Sequence, residues 1–411
     1  MPTQVPVGSP LARKVFSVAV FAATQRRPSF SKNITGAAPK QSDAERKLKG
    51  QTSPDFPIVR ITDLSKSAGE SVSVDLFNII KGKPVTGDKK LSGKMMNLTY
   101  SSMDIRIDQC RGGVDTGGRM AQQRTLHQLR QIGAANLAGW NSRLNDQQCQ
   151  VHLAGARGDD TGSDWVIPLA TDPEFGEIVV NTIKAPTYNR KIYGGGAAAS
   201  TTDITGVAAA DYLALEDIDR LRAILDELVF PMQPIRIPGD EATDENPLFL
   251  LQVTSRQWHY LQTNTTGQTW RTFLANAHAR SEGFKHPLFL GTPGLWNGIL
   301  IKKTSRAIRF NAGSSMQENN SSNVEVAHTV PAGVTVDRAI LLGAQALGDV
   351  YGRHQKSDFY FNWHEEETDH GNTLEISTAS INGKAKITLD VDGVPTDHGV
   401  FVVDSAAPAI T

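Results

Sequence analysis

Cysteine is scarce in this sequence, with only Cys110 and Cys149 among 411 residues. Two cysteines cannot build a disulfide framework, so a small disulfide-stapled secreted protein is excluded and a reducing cytoplasm is expected. Long apolar runs are also missing, because no segment reaches the ~18–20 apolar residues that a membrane-spanning helix needs. We therefore expect no membrane partner.

An excess of charge of one sign is absent as well. The 42 Lys and Arg residues and 43 Asp and Glu residues give a formal net charge of −1, so no overall field draws the protein to nucleic acid or to a membrane surface. What the chain does have is 39% hydrophobic residues, enough for a packed core. At roughly 150 residues per domain, its length predicts two or three packed units.

The near-neutral total conceals a basic N-terminal arm. Residues 1–59 carry nine basic and three acidic residues, so this stretch is +6 and the remainder is −7. We expect the arm to lie on an acidic surface of a neighbouring chain or on nucleic acid, with a solvated tail as the alternative. Its proposed contacts are Arg13, Lys14, Arg26 and Arg27. The apolar run at 15–23 is similar to a signal-peptide core, but three prolines before it argue against a secretory signal.

A long polar hairpin is predicted after this arm. Apolar and polar residues alternate over 71–76 and again over 98–107, which is typical of half-buried strands. The segment between them contains turn-forming glycines and a proline, with a single acid, Asp88. Its five lysines are Lys81, Lys83, Lys89, Lys90 and Lys94. A solvated loop would account for this composition as well as a binding loop would.

The strongest helical pattern covers residues 119–153. Apolar residues recur there at spacings of three and four, so the pattern predicts a rod roughly 50 Å long with one apolar face. Gly155 and Gly158 are expected to end it. The glycine-rich segment 111–118 lacks the Lys-Ser/Thr pair of a phosphate-binding loop, and we interpret it as a hinge into the helix.

The later chain has an α/β texture followed by strands. Helices are predicted within 211–228, after an N-cap at Ser255, and over 270–280. Buried strands are predicted at 248–253, 299–303 and 339–343, the last leading into a helix over 344–352. Residues 358–411 return to strands. A β-rich portion is thus contributed by both the early and the late chain, with an α/β insert between.

No constellation of residues supports an enzyme. The densest set of possible metal ligands, His364 to His370, lacks the spacing of a metal motif, although a metal-dependent enzyme using His364, Glu365, Glu367, Asp369 and His370 is an alternative. Cys149 and His152 are three residues apart on the long helix, but no third group is present to orient a base. We therefore predict no catalytic, cofactor or metal site, and packing roles for both residues.

Several segments together resemble the major capsid proteins of schitovirus-type tailed phages. The similarity covers roughly residues 56–155 and 245–390 and depends on the order and spacing of these segments. They are RITDLSK (60–66), IRIDQCRGGVDTGGRMAQQRTLHQLR (105–130), LNDQQCQVHLAG (144–155), HPLFLGTPGLWNGILI (286–301), RAILLGAQAL (338–347) and FYFNWHEEETDHG (359–371).

The resemblance implies an α+β fold of the tailed-phage (Hong Kong) type. Such a fold has an N-terminal arm, an extended β-hairpin loop, a peripheral domain with a long spine helix, and an axial α/β domain. The implied units are the arm at 1–57, the extended loop with its flanking strands at 58–110, and the peripheral domain at 111–210 with its spine helix at 119–153. The axial domain follows at 211–352, and the return strands of the peripheral domain and the C-terminal tail occupy 353–411.

The resemblance also implies a structural role. Subunits would assemble in the host cytoplasm into pentamers and hexamers of an icosahedral virion shell around double-stranded DNA, without reading its sequence, together with possible portal, scaffold and decoration proteins. An encapsulin-like compartment is the alternative. We hypothesise that the five loop lysines meet an acidic patch on the neighbouring subunit, with Glu365, Glu366 and Glu367 as the candidate. No cofactor is expected.

Overall fold

The secondary structure comes from a computed structural model, which describes residues 31, 34–36, 52–62, 69–77, 82–96, 100–119, 129–162, 164–196, 201–240, 242, 245–282, 286–291, 293–352, 361–391 and 393–407. The strands within them are β1 (Ile58–Ile61), β2 (Ser71–Phe77), β3 (Tyr100–Arg106), β4 (Asp108–Gly118), β5 (Lys191–Tyr193), β6 (Phe249–Val253), β7 (Gly294–Trp296), β8 (Ile299–Lys303), β9 (Ile308–Phe310), β10 (Ser315–Asn319), β11 (Glu325–Thr329), β12 (Val336–Leu342), β13 (Leu347–Tyr351), β14 (Phe361–Thr368), β15 (Thr373–Lys386), β16 (Thr388–Val391), β17 (Val394–Asp397) and β18 (Val400–Ala406). The α-helices are α1 (Leu129–Ala154), α2 (Phe175–Val179), α3 (Leu215–Glu227), α4 (Ser255–Asn264) and α5 (Gly267–Ser281).

The first sheet is organised around the long strand β15. Its first half lies between β14 and β4, and its last residues pair with β13, which in turn holds β1. Helix α1 covers one face, where Leu137 packs with Trp363 and Ile376. This sheet therefore combines early and late strands, as the sequence pattern predicts.

The glycine-rich segment is a strand, so its interpretation as a hinge is wrong. Residues 112 and 113 lie within β4 and pair with Thr378 and Ser377 of β15. A Cβ atom at residue 112 would overlap the indole of Trp140 on α1. Glycine is needed there because the helix packs its largest side chain directly on the strand backbone.

The second sheet has seven strands in the order β5-β18-β12-β6-β8-β7, with β9 also paired to β12. Its central strands are buried on both faces, which accounts for their nearly continuous apolar sequences. Helices α3, α4 and α5 cover one face. The other face shares a core with the C-terminal end of α1 and with Ile58 of β1.

Three predicted assignments differ from the structure. Helix α4 is capped by Thr254, whose hydroxyl accepts from the Gln257 N–H, and not by Ser255. The helix predicted over 344–352 is instead strand β13, because its residues are buried between β1 and β15. The division into five units stays a prediction, but β18, expected to return to the peripheral domain, pairs with β12 at the centre of the second sheet.

Helix α1 confirms much of the predicted rod, with residues 120–128 outside the described part. Gly155, at φ +65°, follows its last residue. The prediction of a single apolar face is wrong for its second half, where Gln147, Gln148 and Gln150 are buried. Their side-chain amides donate to the backbone carbonyls of Asp164, Ile178 and Arg306. These hydrogen bonds offset the free-energy cost of burying the polar amide groups.

Strands β2 and β3 form the predicted hairpin, paired from Ser71–Arg106 to Phe77–Tyr100. One face packs through Ile105 on Val350 and Ala385 of the first sheet. Within the described residues, no helix is both long and apolar enough to cross a membrane.

Candidate functional site

The segment between β2 and β3, residues 82–96, is a cationic surface loop. Lys83, Lys89, Lys90 and Lys94 are all exposed, and none forms an ion pair with an acid in the described part of the chain. The fifth lysine of the prediction, Lys81, lies outside the described residues. The loop therefore presents four positive charges that no described residue of its own subunit neutralises, and we call residues 82–96 the lysine loop.

Apolar side chains accompany these lysines. Met95 is 72% exposed and Tyr100 at the base of the loop is 70% exposed. Leu91 and Met96 are also largely exposed. Clustered exposed side chains of this size are typical of interaction surfaces. The charge pattern of the segment did not predict these exposed apolar residues, because they lie scattered among and after the lysines.

The base of the hairpin is fixed to its own subunit. The side chain of Asn181 accepts from the N–H of Arg106 at 2.9 Å and donates to the carbonyls of Arg106 (2.9 Å) and Lys384 (3.1 Å). Gly383 of β15 lies against the Arg106 carbonyl, where a Cβ atom would overlap the oxygen. Further along, the Ser101 hydroxyl accepts from the Asp390 N–H at 2.9 Å. The base of the hairpin is thus bonded to its own subunit, whereas the lysine loop is exposed.

The predicted acidic patch is divided between two faces of β14. Because side chains alternate along a strand, Glu366 points outward while Glu365 points toward α1. Glu365 is buried and accepts from both Arg130, at 2.9 Å, and the Trp363 indole, at 2.9 Å. The proposal that Glu365 contacts a neighbour is therefore wrong. Glu366 and Glu367 remain exposed.

The outer face of the first sheet carries a row of three carboxylates. Glu366 lies opposite Glu375 on β15, and Glu375 lies opposite Asp115 on β4. All three are exposed, and none has an Arg or Lys partner within the described residues, although His364 Nε2 lies 3.7 Å from a Glu366 carboxylate oxygen. Like charges directly opposite one another destabilise a sheet. We call Asp115, Glu375 and Glu366 the carboxylate row; a cation from elsewhere would relieve its repulsion.

Asp115 and Glu375 could not be found by sequence reasoning. They are separated by 260 positions and belong to segments without an acidic run. Only the strand register places them beside Glu366.

The proposed arm contacts Arg13, Lys14, Arg26 and Arg27 lie outside the described residues. The described parts of the arm contact their own subunit. The Ser31 hydroxyl donates to Asp146 of α1 at 2.8 Å, and Thr35 forms a parallel bridge with Ile58. Phe56 is buried in the main core.

The candidate metal ligands do not converge. Alternation along β14 places His364 on the face opposite Glu365 and Glu367, and Asp369 and His370 occupy a tight turn with positive φ. No group of three or more His, Cys, Asp or Glu side chains is placed to hold a metal ion in the part of the chain described here.

Cys149 and His152 are both buried on α1. Burial raises the pKa of the Cys149 thiol, which suppresses the nucleophilic thiolate. Burial lowers the pKa of His152 to about 4, although its hydrogen bond to the Val179 carbonyl (3.1 Å) opposes this shift. Lys384 and Lys386 lower it further. A neutral thiol and a neutral imidazole in the core agree with the packing roles predicted for them.

This chain has relatives among known protein families and sequences. A family model described as phage capsid protein matches residues 4–409. The chain is also similar to the major capsid protein of Pseudomonas phage KPP25, with 25% identity over 364 residues that cover 85% of this chain and 87% of that protein.

Solved structures share the fold. The capsid of Ralstonia phage GP4 superposes with a TM-score of 0.70 at 24% identity, covering 100% of both chains. The capsid of cyanophage Pam1 gives 0.60 at 17% identity, over 91% of this chain and 96% of that one. The acid-stable capsid of Helicobacter pylori bacteriophage KHP30 gives 0.56 at 12% identity, over 86% and 88%. The expected α+β capsid fold is confirmed.

Proposed function

The chain belongs to the phage capsid protein family, and from this premise we propose that the lysine loop joins each subunit of the shell to the carboxylate row of a neighbour. The protein is a structural subunit of the icosahedral phage head. Its narrower assignment to the schitovirus type stays a prediction.

The observation that carries the proposal is the presence of two opposite charge sets on one chain: exposed lysines without an acidic partner and exposed carboxylates without a Lys or Arg partner among the described residues. Four exposed lysines project beyond the anchored base of the hairpin, and three exposed carboxylates lie in register on the outer face of the first sheet. Two different patches on one chain form a head-to-tail contact, and repetition of that contact closes rings such as pentamers and hexamers. Complementary charge of this kind sets register and partner choice more than raw affinity.

The finer features of this function are proposals as well. The shell encloses double-stranded DNA without sequence readout and is assembled in the host cytoplasm, with portal, scaffold and decoration proteins as possible further partners. The basic arm, through Arg13, Lys14, Arg26 and Arg27, clamps a neighbour or faces the DNA. Deleting residues 2–50 without any loss of shell formation or stability would contradict the clamp.

Charge reversal tests the proposed loop contact. The variant carries Glu at Lys83, Lys89, Lys90 and Lys94, and we expect folded subunits, by circular dichroism, with at least a roughly tenfold loss of shells in electron micrographs. Normal shells from this variant would contradict the contact, whereas a wild-type protein that never forms shells would contradict the function itself.

A matched control reverses four exposed basic residues elsewhere. They are Lys184, Arg236, Arg271 and Lys303. We expect this control to assemble better than the loop variant, although its net charge changes equally.

A charge swap separates the specific contact from a general effect of charge. Adding Lys at Asp115, Glu366 and Glu375 to the reversed loop restores opposite charges across the interface. We expect this combination to recover shells, while the three lysines alone, with the native loop, should not assemble.

A further inference from the structure

Among the described residues, strand β11 has one edge that pairs with no other strand. It pairs only with β10, and the two form a separate two-stranded ribbon within the described residues. The Asn320 N–H donates to the Val324 carbonyl at 3.0 Å, and the Val330 N–H donates to Ser314 at 2.9 Å. Because such bonds alternate along an antiparallel pair, the backbone groups of Glu325, Ala327 and Thr329 point away from β10.

These outward groups have no partner in the described chain. No backbone or side-chain hydrogen bond reaches the N–H or carbonyl of Glu325, Ala327 or Thr329. Every side chain of β11 is exposed or half-exposed, and Val326 is 37% exposed. The strand has no Lys, Pro or bulge, three of the devices that protect an edge from pairing, and the carboxylate of its one acid, Glu325, is held by the Ala185 N–H of its own subunit. An edge without these three devices can serve as a template for another strand.

The sequence of β11 is complementary to itself. In an antiparallel pair centred on Ala327, Glu325 faces Thr329 of the second copy and Val326 faces His328 of the second copy. No like charges are opposed, and valine beside an aromatic ring is a favourable cross-strand pair. The Glu325 carboxylate is already satisfied, since it accepts from the Ala185 N–H at 2.9 Å.

We propose that β11 pairs with β11 of a second copy across a local two-fold axis of the shell, forming a continuous four-stranded sheet. The inference rests on the shell function proposed above and adds a second contact, separate from that of the lysine loop. Five-residue strands bury too little surface to hold a dimer alone. The pairing therefore forms in the shell, where other contacts raise the effective concentration of the two strands.

Cysteine crosslinking in purified shells tests the pairing. At the centre of the pair, the Cα atoms of the two copies of residue 327 would lie about 5.5 Å apart, within the range of a disulfide. We expect Ala327→Cys shells to give a disulfide-linked dimer on a non-reducing gel after mild oxidation, roughly tenfold stronger than in wild-type shells, which retain Cys110 and Cys149.

The positional control is Gln317→Cys on β10. Gln317 is equally exposed and lies opposite Ala327 within the ribbon. Its two copies would be three strand spacings apart, roughly 14 Å, so no disulfide is expected. The pairing would be overturned if both variants crosslinked equally, or if Ala327→Cys gave no dimer in intact shells. Neither result would contradict the proposed shell function.

A proline variant provides a second measurement. Ala327→Pro removes an N–H that points outward, so the bonds between β10 and β11 are retained. We expect subunits with wild-type circular dichroism whose shells dissociate at a lower denaturant concentration. Shells as stable as the wild type would argue against the pairing even if the cysteine variant crosslinks.

Discussion

Arg130 of α1 and Glu365 of β14 form an ion pair that fixes the long helix on the first sheet. The Arg130 Nη2 atom lies 3.0 Å and 2.9 Å from the two carboxylate oxygens, and the Trp363 indole donates to the same carboxylate. The Glu365 side chain is 3% exposed and that of Arg130 is 34% exposed. The acid is therefore the buried partner, and the two ends of the pair should respond differently to mutation.

Removing the arginine should cost more than neutralising the acid. Arg130→Ala leaves a buried carboxylate with the indole as its remaining donor among the described residues. We expect a loss of about 2–3 kcal/mol, below the full range for a buried pair because Arg130 is partly solvated. Glu365→Gln keeps an acceptor for both donors and should lose about 1 kcal/mol. Urea unfolding of the unassembled subunit measures the free energy of unfolding of both variants. A larger loss for Glu365→Gln than for Arg130→Ala would contradict this account.

Replacing a buried glutamine of α1 should reduce the stability of the subunit more than replacing an exposed glutamine of the same helix. The Gln147 carbonyl oxygen accepts from the N–H groups of Val166 (2.7 Å) and Ile167 (3.1 Å), and its amide donates to Asp164. Gln147→Leu keeps the volume but leaves these backbone groups without partners, and we expect a loss of about 2–4 kcal/mol. Exposed Gln131→Leu is the control and should change stability by less than about 0.5 kcal/mol. Thermal unfolding distinguishes the two.

Gly383 should not tolerate even one methyl group. In Gly383→Ala the added Cβ would overlap the carbonyl oxygen of Arg106, so the backbones of β15 and the hairpin base must separate. We expect a loss of about 2 kcal/mol or more. In Gly176→Ala the new atom meets nothing within 4 Å, and stability should be unchanged or slightly higher. Equal melting temperatures for the two variants would disprove the close approach.

Acid should destabilise the subunit through His152. Its pKa falls from 6.5 to about 4 on folding, so the unfolded chain binds the proton more readily and stability is lost as the pH decreases from about 6.5 toward 4. The shift predicts a contribution of about 2 kcal/mol between pH 7 and pH 5. His152→Gln can still donate to the Val179 carbonyl and lacks this titration. The denaturant midpoint should therefore change less between pH 7 and pH 5 for His152→Gln than for the wild type. An identical change in the two proteins would contradict the prediction.

Local patterns in the sequence predicted many elements well. The alternation at 71–76 and 98–107 became β2 and β3, and the apolar run at 248–253 became β6. These predictions succeeded because the period of a strand or helix is set by its own residues. The glycine-rich segment 111–118 and the run at 344–352 were assigned wrongly, since Trp140 and strands β1 and β15, all distant in sequence, determine their conformation.

The sequence by itself determined the neutral total charge, the cysteine-poor composition, the lysine loop and the resemblance to phage capsid proteins, because all of these are properties of local composition and order. The tertiary structure decided which acids face outward: it buried Glu365 beneath Arg130 and aligned Glu366 with Glu375 and Asp115. It also left one edge of β11 unpaired within the described part of the chain. Strand register and edge exposure depend on pairing between residues far apart in the chain, and no local pattern encodes that pairing.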